Sequence, residues 1–168
     1  NVGIDDVSAS LMVTTGDGDI SVRRVAEDIR VKTRSGRVEI GTAATVTLEG
    51  GSGDVSLGDV SGAVQVANGT GDVTLGTAQA ATVTTTGSGS VTIQTIADTV
   101  RVRTENGRVS VEEASAAAIK GGSGNVSVGN VSGTVQVENG GGDVNIGAAQ
   151  AAAVRTTGGD VQLGWIRG

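Results

Sequence analysis

Two pairs of acids stand where carboxylates could act together: Asp54 with Asp72, and Asp143 with Asp160, 18 and 17 residues apart, each acid directly before a valine. Paired carboxylates can hold a divalent cation, or can share acid and base duty across a glycosidic bond. The rest of the chain gives such chemistry no support. It has no His and no Cys, so the commonest general base, metal ligands and thiolate nucleophile are missing together. Sugar-cleaving clefts also need long loops to wall them, and these repeats carry no long insertion. Two acids one rung apart in water repel by only about 1 kcal/mol, so no cation is required to hold them. The sequence therefore predicts no enzyme, no cofactor and no catalytic or metal residue; a weak Ca²⁺ site at Asp54/Asp72 or Asp143/Asp160 is the alternative left open.

Those acids belong to a longer column, Asp19, Arg37, Asp54, Asp72, Ser90, Arg108, Asn125, Asp143 and Asp160. In it Arg37 falls between Asp19 and Asp54, which offsets like charges along a ladder. The stretch Gly50-Gly51-Ser52-Gly53-Asp54-Val55-Ser56-Leu57 invites comparison with the calcium-binding nonapeptide of RTX toxins. It fails because Asp54 follows its glycine immediately and the repeat is not built of nonapeptides. Phosphate-binding glycine patterns fail as well, since no helix follows to present its N-terminus. An ice-binding face would need outward Thr on every coil, and the cluster Thr84 to Thr86 is not continued by its neighbours.

What positions the column is a phrase, Gly-x-Val, that occurs nine times: Gly18-Asp19-Ile20, Gly36-Arg37-Val38, Gly53-Asp54-Val55, Gly71-Asp72-Val73, Gly89-Ser90-Val91, Gly107-Arg108-Val109, Gly124-Asn125-Val126, Gly142-Asp143-Val144 and Gly159-Asp160-Val161. Its apolar anchors recur every 17 or 18 residues, the mark of a stack of near-identical coils. The chain reads as an all-β, single-stranded β-helix (β-solenoid) of about nine coils, a single domain over residues 1–168. Nine coils at a strand spacing of about 4.8 Å make a rod roughly 43 Å long.

Counting from each anchor as zero, apolar residues recur at 0, +2, +5, about +9 and about +11, as in Val55, Leu57, Val60, Val64 and Val66. These offsets do not match the hexapeptide spacing of left-handed β-helices, so a right-handed coil is expected. The +5 column, Val25, Ala43, Val60, Ala78, Ile96, Ala114, Val131, Ala149 and Ile166, alternates bulky with small, as interdigitating layers require. Five residues before each anchor runs Thr15, Thr33, Gly50, Asn68, Thr86, Thr104, Gly121, Asn139 and Thr156. This is corner chemistry, with Thr and Asn satisfying backbone groups where the chain turns, in preference to a binding stripe. The order Thr, Thr, Gly, Asn nests the coil in a longer period of 71 residues, and from Leu48 to Gln79 set against Ile119 to Gln150, 21 of 32 positions are identical. A four-coil block has been duplicated. In coil five, Thr82 and Thr84 hold valine positions with Val83 out of phase, predicting a local bulge. The Ala-rich stretches Glu112 to Ile119 and Gln150 to Val154 could each form a short turn.

Composition narrows the function. There is no Phe, no Tyr, no Pro and one Trp, against 29 Gly, so the core must be aliphatic and the corners glycine. Net charge of -6 and the lack of aromatic platforms argue against nucleic acid. Six of the twelve basic residues lie from Arg23 to Arg37, interleaved with Glu27, Asp28 and Glu39, which reads as a solvated, ion-paired face. No apolar run long enough to span a bilayer and no leader peptide stand in the sequence, so no membrane insertion is expected. Absence of cysteine leaves the compartment open. Beginning in mid-pattern at Asn1 and ending within a coil at Gly168, the chain has the look of a segment of a longer protein.

The repeated Ser52-Gly53-Asp54-Val55-Ser56-Leu57-Gly58-Asp59-Val60 and Gly71-Asp72-Val73-Thr74-Leu75 resemble a bacterial family of adhesin-like domains of unknown function, over coils one to nine. The resemblance implies a β-solenoid of the bacterial cell envelope or exterior, with no catalytic residues to carry over. The bactofilins, cytoskeletal polymers of small β-helices, are the nearest rival. The expected function is a non-enzymatic structural or adhesin-like rod of the cell surface, assembling end to end into fibres; the alternatives are a module binding a glycan or protein partner along a flat face, and a bactofilin-like polymer. The partners expected are copies of itself, a cell-surface protein or a glycan.

Overall fold

The computed structural model describes residues 1–167; Gly168, the last residue of the expected domain, lies outside the described residues. Every strand pairing is parallel, and each strand pairs with its counterpart one coil away. The anchors stand in one unbroken column, Val2 on Ile20, then Val38, Val55, Val73, Val91, Val109, Val126, Val144 and Val161. Each anchor amide donates to the carbonyl just before the next anchor, from Val2 N to Asp19 O at 2.8 Å through to Val144 N to Asp160 O at 2.8 Å. The nine expected coils are present, and Val2 adds a rung paired to Ile20.

Each coil makes two walls. The anchor wall holds strands such as Val38–Ala43, Val55–Val60 and Val73–Ala78, whose first and third residues point inward. Two outward residues in succession then bend the strand and return the +5 residue to the core. The second wall holds strands such as Asp28–Ser35, Thr45–Ser52, Ala63–Asn68 and Thr134–Gly141, with strict alternation of buried and exposed residues over much of their length. Val91–Asn106 and Val109–Ser123 run through both walls without a break. The core between them is one continuous aliphatic cluster.

The +5 alternation is real, and the register gives its cause. Where this residue is Ala (Ala43, Ala78, Ala114, Ala149), the next inward residue follows three positions later, at Val46, Ala81, Ala117 and Ala152. Where it is Val or Ile (Val25, Val60, Ile96, Val131), it follows four later, at Ile29, Val64, Val100 and Val135. A shorter corner draws the backbone inward and leaves room for a methyl alone, so side-chain volume and chain length compensate coil by coil.

That rule corrects three sequence expectations. Coil five has a short corner after Ala78, which moves its second strand one residue early: Ala81 and Val83 are the buried residues, in register with Val64 and Val66. The irregularity is not at Thr82–Thr84 but further on, between Thr85 and Ser88, where the extra residue is absorbed. The polar column accordingly contains Thr85, which is buried, and not Thr86, which is exposed. The Ala-rich stretches form no separate turn: Glu112 to Ile119 lies inside strand Val109–Ser123, and Ala151–Thr156 is a strand. Ala117 stands between Val100 and Val135 on the ladder, and leaving it would forfeit hydrogen bonds on both sides. Among the described residues there is no helix.

Candidate functional site

The acid column turns out to serve the backbone. Asp54 Oδ1 accepts from the Asp72 amide at 3.1 Å, Asp72 Oδ1 from the Ser90 amide at 2.8 Å, and Asp143 Oδ1 from the Asp160 amide at 3.1 Å. Asp19 does the same for Arg37, and Asn125 for Asp143, each at 3.0 Å. An acid or amide at this place reaches the N–H one coil up, which the corner leaves outside the ladder. The Arg37 guanidinium has no acceptor and the shorter Ser90 hydroxyl makes no such bond, and there the column skips a rung. Arg37 instead sets its guanidinium 4.0 Å from Asp54, the charge offset expected from its position. The candidate cation pairs thus come together in space, with one oxygen each of Asp54, Asp72 and Asp143 already engaged by a backbone amide, and no group of three acids gathers among the described residues.

Glycine precedes this residue for two reasons. Gly53 has φ of +132° and Gly71 of +114°, in the region glycine favours. A Cβ at either place would also strike the glycine carbonyl one coil below, Gly36 O or Gly53 O.

The polar column five residues before the anchors lies inside the coil, with Thr33, Asn68, Thr85, Thr104 and Asn139 buried. Its chemistry is that of a corner, as the sequence suggests. Thr33 Oγ1 donates to Ser35 O at 3.2 Å, and Thr85 Oγ1 to Thr104 Oγ1 at 2.9 Å. Asn68 Nδ2 donates to Gly53 O at 3.0 Å and Thr70 O at 3.2 Å; Asn139 Nδ2 donates to Gly124 O at 2.9 Å and Gly141 O at 2.6 Å. The glycine below each asparagine is the other half of the unit: a Cβ on Gly50 would lie 2.5 Å from Asn68 Oδ1, and one on Gly121 closer still to Asn139 Oδ1. The Gly-then-Asn order is a steric pairing across coils.

Charge on the outside follows the rungs as well. Ion pairs join Arg23 to Asp6 at 2.8 Å, Lys32 to Glu49 at 3.0 Å and Arg34 to Asp17 at 2.7 Å. The basic stretch Arg23 to Arg37 is therefore ion-paired as expected, but by acids one coil away and not by Glu27, Asp28 and Glu39. Registered neighbours lie about 4.8 Å apart, whereas same-face neighbours along a strand are about 6.6 Å apart. Hydrogen bonds from Arg34 foremost, then from the Ser35 hydroxyl, hold the Asp17 carboxyl below the usual carboxylate range.

A second basic region, on the second wall of the later coils, was not singled out from sequence. Arg101 and Arg103 project from strand Val91–Asn106, Lys120 from Val109–Ser123, Gln136 and Glu138 from Thr134–Gly141, and Arg155 from Ala151–Thr156. They rim an open trough of about 700 Å³ floored by Ala118 and Ala153. Arg103 is registered on Lys120, two cations on neighbouring rungs; Lys120 reaches Glu138 at 3.3 Å, and neither Arg101 nor Arg103 has an ion-pair partner among the described residues. The signal was in the 71-residue repeat: Lys120 stands where the first block has Glu49.

Comparison with curated proteins and with solved structures returns no match. The family described as Toastrack DUF4097 matches twice, over residues 5–95 and 63–166, and the overlap is what a self-similar stack of coils produces. With nearly all of its coils matched, the chain belongs to the Toastrack family, a solenoid domain of unknown function.

Proposed function

We infer that this chain is a non-enzymatic rod of the bacterial cell envelope or exterior, an adhesin-like spacer that assembles end to end into fibres. The observation that carries this reading is the ladder itself: the anchors from Val2 to Val161 stand in one parallel column, each rung hydrogen-bonded to the next. Parallel ladders of this kind can pair strand to strand when copies meet head to tail, and such stacking does not close. Outward residues support a structural role too, since the acid column engages its own backbone and leaves no convergent acid–base set.

Light scattering and electron microscopy across a concentration series test it. Growth of rods into fibres supports self-stacking; a strictly monomeric rod at high concentration removes the fibre version. A second reading, a module that binds along a flat face, is favoured by the trough at Arg101, Arg103 and Lys120. Arg101 and Arg103, held without an acid partner among the described residues on an otherwise acidic chain, are what an anionic partner would meet, beside a Lys120 that Glu138 pairs at 3.3 Å.

A further inference from the structure

We propose that the second wall of the later coils binds a linear acidic polysaccharide, with Arg101, Arg103, Lys120 and Arg155 taking its negative groups. This rests on the face-binding reading above and names its ligand class. The two copies of the block supply the argument. Arg101 and Arg103 correspond to Arg30 and Lys32, Lys120 to Glu49, Glu138 to Ala67, and Arg155 to Thr84. On the first block Lys32 meets Glu49 at 3.0 Å and the pair is neutral. On the second, the same rungs place Arg103 on Lys120. One backbone frame therefore carries a net charge of one positive on the first face and three positive on the second, within a chain of net charge -6. Stacking like charges is unfavourable in the free rod, and an anion lying between them removes that cost.

Shape and surroundings select a sugar chain over other polyanions. In the column Arg103, Lys120, Glu138, Arg155 the cations Arg103 and Lys120 are one rung apart along the rod axis, about 4.8 Å, a rise comparable to the length of one sugar residue, and Arg155 follows two rungs beyond Lys120, past Glu138. Ala118 sits between Arg101 and Gln136, and Ala153 beyond Gln136, so the floor is low enough for a ring to lie against the wall. Gln136, Thr82 and Thr84 border the cations and can hydrogen-bond sugar hydroxyls. Stacking platforms for bases are absent from this wall; Trp165 belongs to the anchor wall.

The test is titration calorimetry of the full chain with polygalacturonate, dextran sulfate, neutral dextran and oligo-dT as probes, using wild type, Lys120→Glu and Glu49→Lys. Lys120→Glu installs the acid that the first block already carries on the same frame, so the rod is expected to fold unchanged, as a thermal melt will show. Expected are binding of the acidic glycans, weakening of about tenfold or more in Lys120→Glu, and strengthening in Glu49→Lys. Binding should also fade as ionic strength rises from about 0.1 M to about 1 M, where the screening length drops from about 10 Å to about 3 Å. Equal binding by wild type and Lys120→Glu overturns the proposal. Preference for oligo-dT assigns the face to nucleic acid and overturns it too. Neutral dextran bound as well as the acidic probes overturns the ligand class but leaves the face-binding reading standing, while silence from all four probes removes both.

Discussion

Glu49 and Lys120 hold the same place in two copies of one block, 71 residues apart, and they make opposite surfaces. Inside, the copies agree: Val73 and Val144 both anchor a Gly-Asp-Val phrase, and Gly50 with Asn68 makes the same interlocked pair as Gly121 with Asn139. Outside they diverge, from a neutral Lys32–Glu49 rung to a cationic Arg103–Lys120 rung. The difference teaches where a solenoid is free to change. Each inward residue is held by the coil above and the coil below, so its volume is fixed twice, whereas an outward side chain can be exchanged for the cost of one exposed ion pair, up to about 1 kcal/mol.

The sharpest way to break the comparison is to put a charge into both copies of the core. Val73→Asp lies in the middle of the stack with Val73 fully buried, and the unpaired carboxylate costs on the order of several kcal/mol. Val144→Asp has a single anchor rung beyond it, at Val161, so its damage is expected to stay in the last two rungs. Circular-dichroism melting with hydrogen exchange should show global loss for the first and local fraying for the second. Equal damage would mean the coils do not share load in the order of the stack.

The Gly–Asn unit is next in size. Gly50→Ala drives a Cβ against Asn68 Oδ1 and should cost roughly 2–3 kcal/mol, and the penalty should shrink in an Asn68→Ala background. Additive penalties in denaturant titrations would show that the two residues are not a pair. Corner length gives a smaller effect. Ala78→Val overfills a short corner and is expected to cost about 1–2 kcal/mol, more than Ala149→Val beside the open end, measured by the shift in melting temperature.

Smallest is a difference in acid sensitivity. Asp17 has its carboxyl depressed in the folded rod by Arg34 and Ser35, so its contribution is fully present above the unfolded carboxylate value, about 3.9, and is lost as pH falls through the lower folded value. The second block carries Ser88 and Glu105 at the equivalent places and lacks this pairing. NMR titration should find Asp17 protonating later than a free carboxylate, and Arg34→Gln should move it part of the way back to the ordinary range, the Ser35 hydrogen bond remaining.

Much of the frame was legible in the sequence because the physics of a stack is local and repeated. The anchors, the +5 alternation and the corner role of Thr33, Asn68 and Asn139 could be read from spacing alone. Thr85 was mistaken for Thr86 because counting back from Val91 assumes a constant second half of the coil, and only the register shows the short corner after Ala78 compensated between Thr85 and Ser88. The Val2 rung escaped because the coils were counted by complete Gly-x-Val phrases, of which Gly18-Asp19-Ile20 is the first in the sequence. Ion-pair partners were sought along the chain, where Glu27 and Asp28 lie near Arg30, although a parallel ladder brings together residues 17 or 18 apart, as Arg34 and Asp17 show. The trough at Lys120 was hidden for the same reason: Arg101, Lys120, Glu138 and Arg155 are scattered in sequence and become one face only when the coils are stacked.

Vertical stacking of the anchors is the claim on which every other statement depends, and the natural absence of cysteine allows a clean test. Ser56→Cys with Thr74→Cys places two thiols on registered outward positions of neighbouring rungs, about 4.8 Å apart, within disulfide reach, while Ser56→Cys with Thr92→Cys separates them by two rungs, about 9.6 Å. Mild oxidation should close the first pair nearly completely and leave the second open. Closure of the second pair in preference to the first, or of neither, would contradict the solenoid.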